Sequence, residues 1–204
     1  MAHRGRGTRA ASEEAVPPVG YGGIEQTVHL VDQDLTARGH DVTLMASGGS
    51  SAAGRLVPLT SEPLGTPGTK RDVEGFRAIK DHAARRAAEV IHEERPDIVL
   101  NHSWRVLDYL RTSASLTTVH YPLDTGGYRQ VFHARGHATY VSISRAQQRD
   151  APGLTFAGNV YNGIDVAALP YAARGGAISR SSGVYRRTRG STSRSVRRRQ
   201  PACC

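Results

Sequence analysis

The chain has 204 residues and a formal net charge of +9, but its basic residues are unevenly distributed. Residues 15–170 carry 15 basic and 16 acidic side chains, whereas residues 171–204 carry nine Arg and not one Asp, Glu or Lys. This distribution excludes a protein that is basic throughout, so a partner inferred from charge, such as nucleic acid, concerns the final segment alone.

The first half of residues 15–170 alternates between helical and strand patterns. Apolar residues recur at helical spacing and predict a first helix that Gly39 ends; they are Ile24, Val28, Val31 and Leu35. A buried strand is predicted over 41–46, followed by a loop that runs through residue 68 because of its Gly, Ser and Pro content. A long amphipathic helix is predicted over 72–94.

The second half continues the alternation with shorter elements. Four strands are predicted, at 97–100, 116–120, 139–143 and near 159–161. Short helices are predicted over 104–111 and from Ser144, and residues 122–127 form a predicted loop. Strands that alternate with helices indicate an α/β fold with a mostly parallel sheet and helices on both faces.

Six sequence blocks carry a resemblance to a known family. In order along the chain they are VPPVGYGGIEQ (16–26), TARGHDVTLMASGGS (36–50), PDIVLNH (96–102), TTVHYP (117–122), YVSISRAQ (140–147) and VYNGID (160–165). In order and spacing they resemble the acceptor-side domain of family-4 retaining glycosyltransferases of the GT-B type. The resemblance covers residues 15–170 and implies a Rossmann-like domain that forms one half of a GT-B fold.

The two ends of the chain depart from that family. Residues 2–9, read one nucleotide later, can encode a stretch that resembles the family's first strand. Residues 178–194, read one nucleotide earlier, can encode a stretch that resembles the opening of its second domain. We therefore expect residues 1–14 and 171–204 to be translated out of frame, with 171–204 disordered. We also expect the usual first strand to be missing or badly formed, because AHRGRGTR is not a central-strand sequence.

The resemblance implies transfer of a sugar, with retention, from a nucleotide-sugar donor to an unknown acceptor. The family's second domain, which binds the donor, supplies the cations that neutralise the leaving diphosphate. We therefore expect this chain to be truncated and inactive without that missing C-terminal donor domain. Two alternatives remain: half of a split glycosyltransferase, or a non-catalytic Rossmann-like module whose Arg-rich tail binds nucleic acid non-specifically through phosphates.

Gly22 and Gly23 form the first candidate site. They follow an extended Val-Pro-Pro segment and open a helix, so their backbone N–H groups can approach a phosphate. The alternative is a simple tight turn. The resemblance makes this the loop that binds the donor diphosphate. Glu25, a first-turn acid, is interpreted as structural.

His120 forms the second candidate site, because it ends a predicted strand and ligands lie beyond the carboxyl ends of parallel strands. The alternative is a polar side chain that simply bonds its neighbours. The resemblance makes His120 the catalytic histidine that borders the sugar-transfer site. His102 ends the preceding strand, and with Tyr121 and Asp124 it is predicted to shape the acceptor and sugar pocket.

No cofactor and no metal ion are expected, because the remaining histidines fit no metal spacing. Cysteine occurs only as the neighbours Cys203 and Cys204, which cannot staple a fold and which indicate a reducing compartment. No apolar run approaches the roughly 20 residues of a membrane span, and no apolar signal core follows the first arginines. A cytoplasmic location without a transmembrane segment is predicted.

Overall fold

The computed structural model describes residues 6–9, 14–20, 22–64, 72–111, 114–124 and 126–166. These residues form one seven-stranded sheet in the order β3-β2-β1-β4-β5-β6-β7, and each neighbouring pair is parallel. The strands are β1 (Arg6–Arg9), β2 (Val42–Ser47), β3 (Arg55–Thr60), β4 (Val99–Asn101), β5 (Ser115–Val119), β6 (Tyr140–Ser142) and β7 (Phe156–Asn159). The predicted α/β fold is confirmed.

Helices lie between consecutive strands except in the connection from β2 to β3. They are α1 (Gly23–Ala37), α2 (Val73–Glu94), a 3₁₀ helix (Trp104–Asp108), α3 (Gly126–His133) and α4 (Arg145–Asp150). The predicted bounds of α2 are confirmed to within one residue, and the Asp72 carboxylate caps this helix by accepting from the Gly75 N–H at 2.6 Å. Gly39, with φ of 81°, follows the end of α1 as expected.

The core lies on both faces of the sheet. All six residues of β2 are buried, and successive side chains of a strand point to opposite faces. Leu44 packs in a cluster with Val28 of α1, whereas its neighbour Met45 packs in the larger cluster with Ala87 of α2. Helices therefore cover both faces, which explains why β2 is apolar without alternation.

The first strand corrects one prediction. Residues Arg6–Arg9 pair with both β2 and β4 near the middle of the sheet, so the expectation that this strand is missing is wrong. Pairing uses the backbone, which any side chain except that of proline leaves available, and two parallel neighbours override the poor strand propensity of RGTR. Residues 1–5 and the predicted tail, 171–204, lie outside the described residues.

Two further elements were missed. The predicted loop after residue 46 contains β3, which includes Pro58; a proline is tolerated there because β3 is the edge of the sheet. Helix α3 begins inside the predicted loop 122–127, where two glycines conceal the helical pattern. The guanidinium of Arg129 fastens this helix to the preceding loop by donating to the carbonyls of Leu123, at 2.9 Å, and Asp124, at 3.2 Å.

The strand order defines where a site can form. Strands β2 and β3 lie on one side of β1, and β4 to β7 lie on the other. The chain therefore leaves β1 and β4 in opposite directions, which makes the gap between their carboxyl ends a topological switch point. Ligands of open α/β sheets bind at such points.

Candidate sugar-transfer site

His102 and His120 meet at the carboxyl edge of the sheet. His102 follows β4 and His120 follows β5, and these neighbouring strands pair in register, Asn101 opposite Thr117. His102 Nδ1 lies 2.9 Å from His120 Nε2, and the two rings stack with centroids 5.2 Å apart. The two histidines predicted separately from strand ends thus form one hydrogen-bonded pair.

Burial keeps both imidazoles neutral. His102 is only 5% exposed, and desolvation together with the nearby His120 lowers the pKa of His102 to about 3. Desolvation also lowers the pKa of the half-buried His120 to about 4. Both rings are therefore uncharged near pH 7, and each offers one N–H donor and one lone-pair acceptor.

The buried environment also favours one tautomer. His102 Nε2 is buried and has no hydrogen-bond partner among the described residues. A buried N–H without a partner is rarer than an unpaired acceptor, so we infer the tautomer in which His102 Nδ1–H donates to His120 Nε2. His120 then holds its own proton on Nδ1, the nitrogen that is not bonded to His102.

The strand ends beneath the pair are fixed by polar contacts. The buried Asn101 side chain donates to Thr117 Oγ1 at 3.0 Å and to the Ser103 carbonyl at 2.9 Å, and its oxygen accepts from the Ser103 N–H at 3.1 Å. This amide links β4 to β5. It also holds the turn between Asn101 and Ser103, in which His102 lies. No role for Asn101 was predicted from the sequence.

Gln147 of α4 is a second polar residue whose role was not predicted from the sequence. Its side chain is buried and donates to the carbonyls of Val119 and Tyr121, the two residues that flank His120. The pattern SRAQ after a strand indicates only a capped helix, and Ser144 does cap α4. No local signal shows that the glutamine side chain reaches back to β5.

Tyr121 and Asp124 follow His120 in the loop before α3. The ring of Tyr121 stacks on that of Tyr128, with centroids 4.4 Å apart, and lies 6.4 Å from that of Phe132. Asp124 is exposed, and its backbone carbonyl accepts from Arg129. Tyr121 thus belongs to an aromatic cluster with Tyr128 and Phe132, whereas Asp124 is exposed.

The loop that precedes α1, here called the Gly22 loop and described over residues 14–20 and 22, is anchored to the carboxyl end of β2. Ser47 Oγ donates to the Glu14 carbonyl at 3.0 Å, and the Val16 N–H donates to Ser50 Oγ at 3.0 Å. The Ser51 N–H adds a bond of 2.7 Å to the Val16 carbonyl. These contacts place the loop at the same edge of the sheet as the histidines, on the β2 side of the switch point.

Gly22 and Gly23 differ in what surrounds them. A Cβ on Gly22 would lie 2.6 Å from Pro18 Cβ, so this glycine is required by packing. A Cβ on Gly23 would meet nothing within 4 Å, and Gly23 is exposed at the first position of α1. Only Gly23 therefore leaves open space at the helix N-terminus.

Glu25 lies buried in the first turn of α1. Desolvation raises the pKa of its carboxyl group, although a bond to its own backbone N–H opposes that shift. A raised pKa favours the neutral acid, which reduces repulsion between Glu25 and an anion at the helix N-terminus.

A separate groove of about 740 Å³ lies beside the carboxyl ends of β2 and β3. Its lining residues are Gly48, Gly49, Leu56, Pro58, Leu59, Thr60, Ser61, Glu62, Leu64, Ile79 and His82. Neither histidine of the pair contributes to it. The groove and the His102–His120 pair are therefore two distinct features of the carboxyl edge.

Within the described ranges, no three His, Cys, Asp or Glu side chains are grouped so that they could hold a metal ion. None of the helices found there has both the length and the apolar character needed to cross a membrane.

A parallel sheet flanked by helices, with polar side chains at its switch point, defines a Rossmann-like domain of the kind that forms half of a GT-B fold. Comparison with family models gives a match to Glycosyltransferase Family 4 over residues 21–168. The chain therefore belongs to glycosyltransferase family 4, whose activity is sugar transfer and whose substrates are sugars. No curated protein gave a significant match.

Proposed function

We propose that this protein contributes the acceptor-side wall of a glycosyltransferase that moves a sugar from a nucleotide-sugar donor to an acceptor with retention of configuration. The observation that carries the proposal is the neutral His102–His120 pair at the carboxyl edge of the sheet. Family membership supports sugar transfer, and the position of the pair supports its role at the transfer site.

His120 is proposed to bind a hydroxyl of the donor sugar or of the acceptor. Its pKa of about 4 means that the ring is neutral at pH 7 and does not serve as a cation for the leaving group. In the inferred tautomer His120 Nε2 accepts from His102, so the Nδ1–H of His120 is the donor proposed to bind the hydroxyl. Hydrogen bonds of this kind orient a reacting hydroxyl, which lowers the entropic part of the barrier.

Gly23 and the first turn of α1 are proposed to face the donor diphosphate. The open space beside Gly23 allows a phosphate to approach the N-terminus of α1, where the helix dipole favours its charge. Gly22 supports this arrangement by allowing Pro18 to pack against the loop. No metal or other cofactor is proposed for this binding mode.

The leaving diphosphate also needs positive charge, because its stabilisation dominates the barrier to transfer. We propose that a donor-side domain provides that charge and is the partner of this one. Tyr121, Tyr128 and Asp124 are proposed to border the acceptor. The out-of-frame origin of residues 1–14 and 171–204 and a cytoplasmic location stay predictions, and the underlying nucleotide sequence tests the first of them.

The proposed function is tested by measuring nucleoside diphosphate release and sugar transfer from a panel of nucleotide sugars. The full chain is assayed alone and mixed with a family donor-side domain. We expect His120→Ala to lower turnover about 100-fold or more while donor affinity changes little. His137→Ala, which alters an exposed turn, is the matched control.

Equal turnover of His120→Ala and the unaltered protein would contradict the assignment of His120 to the transfer site. The proposed donor class would be wrong if no nucleotide sugar binds under any condition. A nucleic-acid function concerns residues 171–204, which lie beyond the described part of the chain.

A further inference from the structure

The side chain of Gln147 spans the segment that carries His120. Its Nε2 donates to the Val119 carbonyl and to the Tyr121 carbonyl, each at 3.0 Å. Its Oε1 accepts from the Ile143 N–H at 2.8 Å. Gln147 is 7% exposed, so these three bonds are made in a largely water-free environment, where an unmade bond is costly.

The two carbonyls lie on either side of His120. Strand β5 ends at Val119, so the backbone of His120 and Tyr121 lies beyond the paired residues of the strand. A segment outside the strand pairing depends on other contacts for its position. Gln147 supplies two donors to this segment and links it, through Ile143, to the end of β6.

We propose that Gln147 is the positioning residue that sets the orientation of His120 and maintains its contact with His102. The proposal deepens the proposed function, since it assigns a determinant of the geometry at the same site. Gln147 itself does not touch His102 or His120 through any hydrogen bond of the described residues, so it acts through the backbone.

The narrow distance range of the His102–His120 hydrogen bond explains why His120 needs a positioning residue. The His102–His120 contact is 2.9 Å, and a hydrogen bond is lost beyond about 3.5 Å. A displacement of less than 1 Å at His120 therefore separates the pair. The two bonds from one amide hold the peptide group before His120, through the Val119 carbonyl, and the peptide group after Tyr121, through the Tyr121 carbonyl. His120 lies between these two fixed points, so its backbone is restricted more than by either bond alone.

Gln148 provides a matched control within the same helix. Its Nε2 donates to Ser142 Oγ at 2.9 Å and to the Gly158 carbonyl at 3.3 Å. Both glutamines therefore attach α4 to the sheet through side-chain amide donors. Gln148 binds β6 and β7, however, and among the described residues no hydrogen bond joins its side chain to the segment 119–121.

The experiment compares Gln147→Met with Gln148→Met in the full chain. Methionine preserves length and removes the amide donors without adding charge. Imidazole tautomers and titration midpoints are measured by long-range ¹H–¹⁵N correlation spectra, with resonances assigned from His102→Gln and His120→Gln. We expect Gln147→Met to raise the midpoint of His120 by about one pH unit or more, because a released segment regains water. Gln148→Met should leave it unchanged.

A second readout uses transfer activity when a donor is found. Gln147→Met should lower kcat by about 100-fold with a smaller change in KM, as expected for a displaced reacting group. The spectroscopic result does not depend on activity. Failure of the proposed function therefore leaves the inference about Gln147 intact, and failure of the inference leaves the function intact.

Several outcomes would overturn the proposal. These are a folded Gln147→Met protein with unchanged His120 tautomer and midpoint, or equal changes in Gln148→Met. If Gln147→Met does not fold, Gln147→Glu keeps the acceptor for Ile143 and removes the two donors. The proposal would be supported if the titration midpoint of His120 in Gln147→Glu lies above pH 6 and is shifted further than in Gln148→Glu. Loss of folding in both variants would assign Gln147 to general stability and reject the positioning role.

Discussion

At the scale of single residues, the His102–His120 pair combines a close contact with a low capacity for protonation. The rings are 2.9 Å apart at their facing nitrogens, and desolvation lowers both pKa values well below that of an exposed histidine. A neutral pair can align hydroxyl groups but contributes no positive charge at pH 7. The same burial makes the stability of the domain sensitive to acid.

We expect the free energy of unfolding to decrease as the pH falls from about 6.5 towards 4. In the unfolded chain each histidine binds a proton near pH 6.5, whereas in the folded protein protonation waits until about pH 4 for His120 and about pH 3 for His102. The unfolded state therefore binds more protons in this window and gains stability. By pH 5 the loss is roughly 2 kcal/mol for each histidine.

Urea unfolding followed by circular dichroism at pH 7 and pH 5 measures this dependence. His102→Gln should reduce the loss between the two pH values, because one of the titrating groups is gone. His137→Gln, at an exposed position, serves as the control. The same pH dependence in His102→Gln and the unaltered protein would contradict the assignment.

The two glycines at the start of α1 should separate folding from ligand binding. Gly22→Ala forces a contact with Pro18 and should lower the free energy of unfolding by about 1–3 kcal/mol. Gly23→Leu places its side chain in open space, so stability should be retained. If the donor diphosphate lies beside Gly23, nucleotide-sugar affinity should fall about tenfold or more in Gly23→Leu.

Calorimetric titration with nucleotide sugars and thermal unfolding measure the two effects. At Gly22 a larger side chain is obstructed by the protein itself. At Gly23 it would be obstructed only by a bound ligand. Unchanged affinity in a stable Gly23→Leu protein would show that the loop does not approach the donor.

At the scale of elements, α1 and α2 are followed by different residue types in a similar left-handed backbone conformation. Both helices are followed by a residue with positive φ: Gly39, at 81°, after α1, and Arg95, at 48°, at the end of α2. Glycine adopts this region without penalty, whereas a residue with a Cβ does not. Arg95 still donates its N–H to the Ile91 carbonyl, so the cap is made at the expense of strain.

Arg95→Gly should therefore stabilise the protein by about 0.5–1 kcal/mol, through relief of the left-handed strain at the end of α2. Gly39→Ala, the reverse change at the end of α1, should destabilise it by a similar amount. Chemical denaturation of both variants at one pH tests the pair. A lower free energy of unfolding in Arg95→Gly would show that contacts of the arginine side chain outweigh the strain.

At the scale of the whole molecule, the strand order decides where chemistry can occur. The gap between β1 and β4 is the point where the chain changes direction across the sheet. The Gly22 loop and the histidine pair both lie at the carboxyl edge, on opposite sides of that gap. The net positive charge, by contrast, does not lie in the part of the chain that carries these candidate residues. Residues 15–170 are close to neutral, and nine arginines lie in residues 171–204.

We expect that charge to produce non-specific nucleic-acid binding that the folded domain does not share. Affinity for duplex DNA should fall by about 1,000-fold between roughly 50 and 200 mM salt, through release of counterions. Deleting residues 171–204 should abolish this binding. Fluorescence anisotropy with a labelled duplex measures both, and DNA binding that persists after the deletion would place it elsewhere in the chain.

Much of the fold could be predicted from local patterns. Helix α2 shows a clear apolar period and an Asp72 cap, and β2 is a run of mostly apolar residues that are all buried. Strand β3 and helix α3 could not be predicted in this way, since Pro58 and the pair Gly126–Gly127 disfavour those structures locally. Edge position and packing of Phe132 against Tyr140 compensate in the folded protein.

By itself, the sequence determined the class of fold and the placement of His102 and His120 at strand ends, because periodicity and strand termini are properties of neighbouring residues. The tertiary structure decided that those histidines touch, that Gln147 holds the segment between Val119 and Tyr121, and that Arg6–Arg9 pairs near the centre of the sheet. These contacts join residues 18 to 28 positions apart, or strands from distant parts of the chain, as with Gly7 and Val99. They depend on strand order and register, which emerge only when the whole sheet has formed.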